Sequence, residues 1–169
     1  MNELAVEGLE IRRAEPDDCS AIYEMFKSPK VYEGTLQLPY PAREQWRKRI
    51  SETEGCYSLV AVSGEHVIGM LTIDTFPNKP RRRHVGIIGI SVAEAWQGKG
   101  VGKALMQAGI DLADKWLNLT RLEPEVYADN DAAVRLYERF GFEREGLLRQ
   151  HAFRDGKYVD SIMMARLRS

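Results

Sequence analysis

This sequence is short of almost every feature that would take a chain to a membrane, an oxidising compartment or a nucleic acid. No run of apolar residues is long enough to span a bilayer. The opening MNELAVEGLE is acidic and lacks the basic start and apolar centre of a signal peptide, so the expected compartment is the cytoplasm. Cysteine is down to two residues, Cys19 and Cys56, with no CxxC or Cys/His ligand spacing, which predicts neither a disulfide framework nor a metal site. An excess of one charge is missing too. The 24 Lys+Arg and 25 Asp+Glu nearly cancel, leaving no general grip on nucleic acid or on an anionic membrane. What remains is 169 residues, enough for one real core, read as a single domain over 1–169 whose partner is small and discrete.

The pattern along the chain alternates strand and helix signals. GLEIRRA reads as a strand, and EPDDCSAIYEMF as a helix with Pro16 and two acids at its start. Residues 27–41 carry three prolines among apolar side chains and read as a loop that touches ligand. AREQWRKRISE predicts a charged helix with Trp46 and Ile50 on one face. CYSLVAV and HVIGMLTIDTF flank Ser63-Gly64-Glu65 as a hairpin, and His84 to Val92 forms a central strand. A helix from about Gly100 to Leu117 follows, its apolar stripe read as Val101, Leu105, Ala108, Leu112 and Trp116. Then come a strand RLEPEVYA with Pro124 inside it, a helix that Gly141 ends, and two strands joined at Asp155-Gly156. The order β-α-α-β-β-β-α-β-α-β-β predicts a mixed, mainly antiparallel sheet with helices on both faces, an α/β (α+β) fold.

The stretch SVAEAWQGKGVGKALM stands out, because Gly98, Gly100 and Gly102 alternate between an apolar strand and a helix start. Each glycine there costs stability, so a close approach to the backbone is the physical reason to keep three. Strand, glycine loop and helix start together point free N–H groups and the positive helix end at an anion, most often phosphate. Two known versions fail. A P-loop encloses four residues between its glycines and continues Lys-Ser/Thr, whereas Gly98 and Gly102 enclose three and Lys103 precedes Ala104. A dinucleotide fingerprint needs a third glycine where Lys103 stands.

Gln97-x-x-Gly100-x-Gly102 after an apolar strand resembles the pyrophosphate loop of the GNAT superfamily of N-acetyltransferases. Downstream, Asn130, Ala133, Tyr137, Gly141 and Phe142 are similar to that family's Asn-x-x-Ala-x-x-x-Tyr-x-x-x-Gly-Phe pattern. The likeness runs from about Leu9 to Leu167 and is nearest to the bacterial branch that acetylates free L-amino acids. It implies the family's seven-stranded sheet with a splayed central strand pair, which is also what makes Pro124 tolerable. It implies acetyl-CoA as the donor substrate, no metal, and a small-molecule amine as acceptor, attacked directly without a covalent enzyme intermediate. Homodimers through exposed edges and the C-terminal hairpin are a further implication.

Residue by residue, the resemblance places Ile90, Ser91 and Val92 along the pantetheine arm and Gln97, Gly98, Lys99, Gly100, Val101, Gly102 and Lys103 around the pyrophosphate, through their backbone amides. Asn130 would bond the cofactor arm while capping its helix, Ala133 would keep the wall small, and Tyr137 would be the acid facing the departing sulfur. Phe142 reads as core. Thr35, Leu36 and Gln37 would shape the acceptor pocket, and an arginine from 81 to 83 would attract a carboxylate unless the run is only a solvated turn. The strand before the loop has no acid, so the base is open among His84, Asp74 and Glu125. Protein N-terminal acetylation and a non-catalytic CoA-binding sensor are the competing readings.

Overall fold

The computed structural model describes residues 6–51 and 54–169. The first five residues, and Glu52, on which the second predicted helix ends, lie outside it. Strand β1, Leu9–Arg13, leads through a 3-10 turn at Pro16–Asp18 into helix α1, Cys19–Phe26. The junction is pinned by one carboxylate. Asp18 accepts two hydrogen bonds from the Arg12 guanidinium, at 2.8 and 2.9 Å, and a third from the Glu15 backbone N–H at 2.7 Å. The Arg12 hydrogen bonds hold the Asp18 carboxyl below its ordinary range, against the opposing effect of burial. A depressed folded-state pKa gives stability that is present above the unfolded value of about 4 and is lost as pH falls below it. Asp18→Asn is therefore expected to cost about 2 kcal/mol at pH 7, between the values for exposed and fully buried pairs. The difference from wild type in urea melts shrinks as the pH falls below about 4.

A short helix α2, Pro29–Tyr32, lies in the first long loop, and α3 spans Arg43–Ser51. Strands β2, Cys56–Ser63, and β3, His66–Thr75, form the predicted hairpin with Gly64 at φ +61°. Strand β4, Val85–Val92, pairs antiparallel with β3, and helix α4, Val101–Lys115, crosses over to β5, Arg121–Glu123, parallel to β4. His84 falls in the turn before β4 rather than on the strand. Strand β6, Glu125–Tyr127, helix α5, Asp131–Arg139, and the hairpin of β7, Glu143–Arg154, with β8, Lys157–Leu167, complete the order β1-β2-β3-β4-β5-β8-β6, with β7 on β8. Asp155 and Gly156 both have positive φ, as the two-residue turn requires.

The sheet has eight strands where seven were expected. Proline explains the extra one. Pro124 has no N–H for a ladder and divides RLEPEVY into β5 and β6. Pairing of β4 with β5 stops at Ile87 opposite Glu123, and β6 pairs only with β8. From Ile88 onward β4 therefore has no strand partner on that side among the described residues, and the sheet opens into a wedge.

Two apolar clusters cover the two faces of the sheet. One joins α4 and α5 to β2–β4 through Leu105, Met106, Val134, Tyr137 and Ile88; the other joins α1–α3 to Val60, Val62 and Met70. Phe26 and Trp46 stack in the second, with ring centroids 4.3 Å apart. Helix α4 corrects the predicted stripe. Its buried residues are Val101, Leu105, Met106, Gly109, Ile110 and Ala113, whereas Trp116 is 81% exposed beyond the helix end. Gly109 is the cause: a Cβ there would stand 2.8 Å from Leu71, so the helix lies closest to the sheet at a residue with no apolar signal of its own.

Candidate active site

The free edge of β4 sets the chemistry of the wedge. The Ala93 N–H donates to the Ile68 carbonyl at 2.8 Å, towards β3. Backbone groups alternate along a strand, so the N–H groups of Ile90 and Val92 face the other way, into the opening. The Val92 carbonyl accepts from Gln97 Nε2 at 3.1 Å, which folds the following loop back over the strand.

That loop contains the glycines. Gly98 and Gly100 have φ of +73° and +83°, and Gly100 is the left-handed N-cap of α4, with no side chain capping the helix. The first intrahelical bond reaches Gly100 from Ala104, so the amides of Val101 and Gly102 have no acceptor within the helix. Gly102 lies against α5, where a Cβ would come 3.3 Å from Leu136. In front of these groups is a cavity of about 430 Å³. It is lined by Ile90, Ser91, Val92, Gln97, Gly98, Gly100, Gly102, Lys103, Asn130 and Ala133 of the predicted set. Lys30, Arg135 and Arg139 also line it, so four cations and no carboxylate border the space. This is the electrostatic complement of a polyphosphate. Arg135 and Arg139 are one helical turn apart on α5, a spacing visible in the sequence, but only the fold shows that they border the same space as the glycine loop.

Two residues of the predicted loop set do not line the cavity. Lys99 places its ammonium over the Trp96 ring, 5.1 Å from the centroid, and the Val101 side chain is in the core. Only their backbones remain available to a ligand.

Helix α5 brings Asn130, Ala133 and Tyr137 to one face, because steps of three and four residues stack along a helix. Asn130 Oδ1 accepts from the Ala133 N–H at 3.2 Å and caps the helix. Ile90, Ser91, Asn130 and Ala133 also border a second, contiguous chamber of about 230 Å³, which Tyr137 lines from below. Tyr137 is 4% exposed and packs edge-on against Phe142 at 5.3 Å. Burial pushes its phenol above the ordinary range, so it stays protonated. Its hydroxyl has no hydrogen-bond partner among the described residues.

Thr35, Leu36 and Gln37 roof this chamber, Phe26, Trp46 and Met70 make its apolar wall, and Arg49 and Glu125 are its charged residues. The roof is tied down by the Tyr127 hydroxyl, which donates to the Thr35 carbonyl at 2.8 Å. Tyr127→Phe is expected to loosen it and raise the acceptor KM about fivefold, the worth of one such hydrogen bond. The acetyl-CoA KM stays unchanged, and steady-state kinetics with each substrate varied separates the two.

The predicted acceptor groups at the start of β4 lie away from both chambers. His84 is exposed, lies six residues or roughly 20 Å along the strand from Ile90, and lines neither chamber. Arg82 turns to the protein's own Glu123 at 3.2 Å. Asp74 is likewise absent from the lining, which leaves Glu125 as the chamber's carboxylate. Arg49 and Trp46 could not be assigned to the chamber from sequence, since a charged helix with an apolar stripe reads as an ordinary surface helix.

A sheet forced open beside a glycine-rich helix start is the architecture of acyl-CoA-dependent N-acyltransferases. Residues 19–142 match the Acetyltransferase (GNAT) family, and the chain belongs to it as an acetyl-CoA-dependent N-acetyltransferase. It is 42% identical over 158 residues to the L-amino acid N-acetyltransferase AaaT of Escherichia coli (strain K12), covering 94% of this chain and 97% of that one. A GNAT-family acetyltransferase from Streptococcus pneumoniae superposes with a TM-score of 0.83 at 26% identity, over 95% of this chain and 99% of that one. A phosphinothricin acetyltransferase from Sinorhizobium meliloti, solved in complex with AcCoA, shares the fold with a TM-score of 0.85 at 23% identity, over 95% and 88% of the two chains.

Proposed function

We propose that this enzyme acetylates the α-amine of a free L-amino acid or a similar small zwitterion. The observation that carries the reading is the second chamber, whose charged lining is one arginine, Arg49, and one carboxylate, Glu125, beside Tyr137. A zwitterion offers the matching pair: a carboxylate for the guanidinium and an ammonium for Glu125. The Arg49 guanidinium lies over the Trp46 ring, 5.4 Å from its centroid, and the buried indole N–H of Trp46 in the same wall has no acceptor among the described residues. The relative of similar length that acts on L-amino acids supports the same class.

Acetyl-CoA supplies an acetyl group activated as a thioester. The amides at the start of α4 hold the pyrophosphate, with Lys30, Lys103, Arg135 and Arg139 neutralising its charge. The Ile90–Val92 edge and Asn130 line the pantetheine path, and the Val92 N–H polarises the acyl carbonyl. Glu125 takes the proton from the acceptor ammonium, and Tyr137 gives one to the departing sulfur. Holding both reactants in adjoining chambers contributes most of the rate. Peptide N-termini need an open groove, whereas the roof over Thr35–Gln37 favours a small acceptor. Assembly as a homodimer is supported by the outer edge of β7, where Leu147 and Phe153 are 56% and 66% exposed; sedimentation tests it directly.

Release of free CoA thiol, measured with a panel of L-amino acids, short peptides and polyamines, tests the acceptor class. Turnover with amino acids that falls on Arg49→Ala through a raised acceptor KM is expected. Preference for polyamines or peptides, or an unchanged KM, overturns it.

A further inference from the structure

Strand β7 leaves its register with β8 between Leu148 and Ala152, where four steps on β7 answer two on β8, from Ser161 to Val159. The extra residues are held in an unusual conformation. Gln150 has φ of +50°, a region costly for a residue with a side chain, and its N–H is anchored by the Asp160 carboxylate at 2.8 Å. Bulges of this kind re-aim side chains next to active sites. Here the redirected residue is His151, whose Nε2 lies 2.9 Å from Glu125 Oε2.

The two members of this pair face different spaces. Glu125 lines the acceptor chamber with Tyr137. His151 lines a third cavity of about 460 Å³, on the other side of the Thr35–Gln37 roof, between the first long loop and the tip of the C-terminal hairpin. Its other polar lining is Tyr32, Glu33, Thr35, Gln37, Tyr127, Arg154 and Asp155, with Arg154 ion-paired to Asp129. The Glu125 and His151 side chains are 39% and 28% exposed. Together they span from the chamber to an outer cavity.

We propose that His151 is the proton outlet of the acceptor site. An N–H bond of the acceptor ammonium breaks as an O–H bond forms on Glu125. That proton then moves along the 2.9 Å hydrogen bond to the unprotonated Nε2 of His151, the resulting imidazolium releases its Nδ1 proton to water in the outer cavity, and exchange with solvent restores the Nδ1–H tautomer before the next turnover. Glu125 returns to the carboxylate for the next turnover, and no electrons change hands. The inference rests on the reading that Glu125 faces the acceptor amine.

Two substitutions separate a relay from simple positioning. His151→Gln keeps an amide that can hydrogen-bond Glu125 but cannot take and release a proton, so kcat is expected to fall about 10–100-fold with both KM values nearly unchanged. His151→Ala falls as far and recovers at least part of its kcat when imidazole is added. Glu125→Gln combined with His151→Gln is no slower than Glu125→Gln alone, because the two act in series. A His151→Gln enzyme with wild-type kcat, a Glu125→Gln enzyme with wild-type kcat, or His151→Ala indifferent to imidazole each overturns the proposal. The assay uses whichever panel amine the wild type acetylates. Failure of the amino-acid reading thus appears as wild-type inactivity with amino acids, while the His151 comparison still reports on the relay.

Discussion

Tyr137→Phe is expected to lower kcat by about 10²–10⁴-fold while leaving the acetyl-CoA KM and the stability almost unchanged. The substitution removes one oxygen and keeps the ring that packs 5.3 Å from Phe142, so the core is preserved. In the proposed mechanism what is lost is the proton donor at the chamber wall, an interaction made only as the sulfur departs, so kcat and kcat/KM fall together. Burial raises the phenol above its ordinary value of about 10, and the sign is clear: Tyr137 is protonated and competent throughout the range below that. Any descending limb of the rate profile due to this residue lies above pH 10. Steady-state thiol release from pH 6 to 10 checks both statements, and a variant within threefold of wild type removes Tyr137 from the chemistry.

The second large effect belongs to the glycine loop. At Gly100, φ of +83° places the backbone where a β-branched residue is strained by about 1–3 kcal/mol. Gly100→Val is expected to relieve that strain by turning the first-turn amides of α4 away from the cavity. Losing two charge-assisted hydrogen bonds of about 1.5–3 kcal/mol each raises the acetyl-CoA KM at least about 100-fold. Gly146→Ala is the matched control, since its added Cβ meets nothing within 4 Å and its φ is not positive. Thermal melting alongside kinetics separates binding from stability: a Tm loss with an unchanged acetyl-CoA KM shows that the loop conformation matters to the fold but not to the donor site.

The same loop shows how far local sequence carries a reading. Alternating glycines before an apolar helix announce a left-handed N-cap and free amides, because those are properties of consecutive residues. The spacing of Asn130, Ala133 and Tyr137 announces one helix face for the same reason, and Asp155-Gly156 announces its hairpin. Sequence and structure part where the deciding atoms come from elsewhere in the chain. Trp116 fits the stripe of α4 by being apolar, yet it is exposed, while Gly109, a point of close contact, carries no apolar signal and owes its place to Leu71. His84 is a candidate base by residue type alone, yet strand direction puts it at the far end of β4 from both chambers. For the arginine run at 81–83, sequence leaves a carboxylate contact and a solvated turn both open, and the fold engages Arg82 with Glu123 from a neighbouring strand.

By itself the sequence determined the order of the longer elements, the glycine-rich start of α4 and the face of α5 that carries Tyr137, since each depends on residues within one or two turns of each other, but not the short helix α2 or the division of one strand at Pro124. The chamber proposed for the acceptor was decided only by tertiary structure. Arg49 on α3, Glu125 on β6 and Tyr137 on α5 share one space because Pro124 interrupts a strand and the sheet opens beside it. The packing of helices on opposite faces then fixes which side chains reach the opening. Likewise, nothing local to His151 names its partner. A two-residue bulge measured against β8 aims it at Glu125, and register between strands is a property of the assembled sheet.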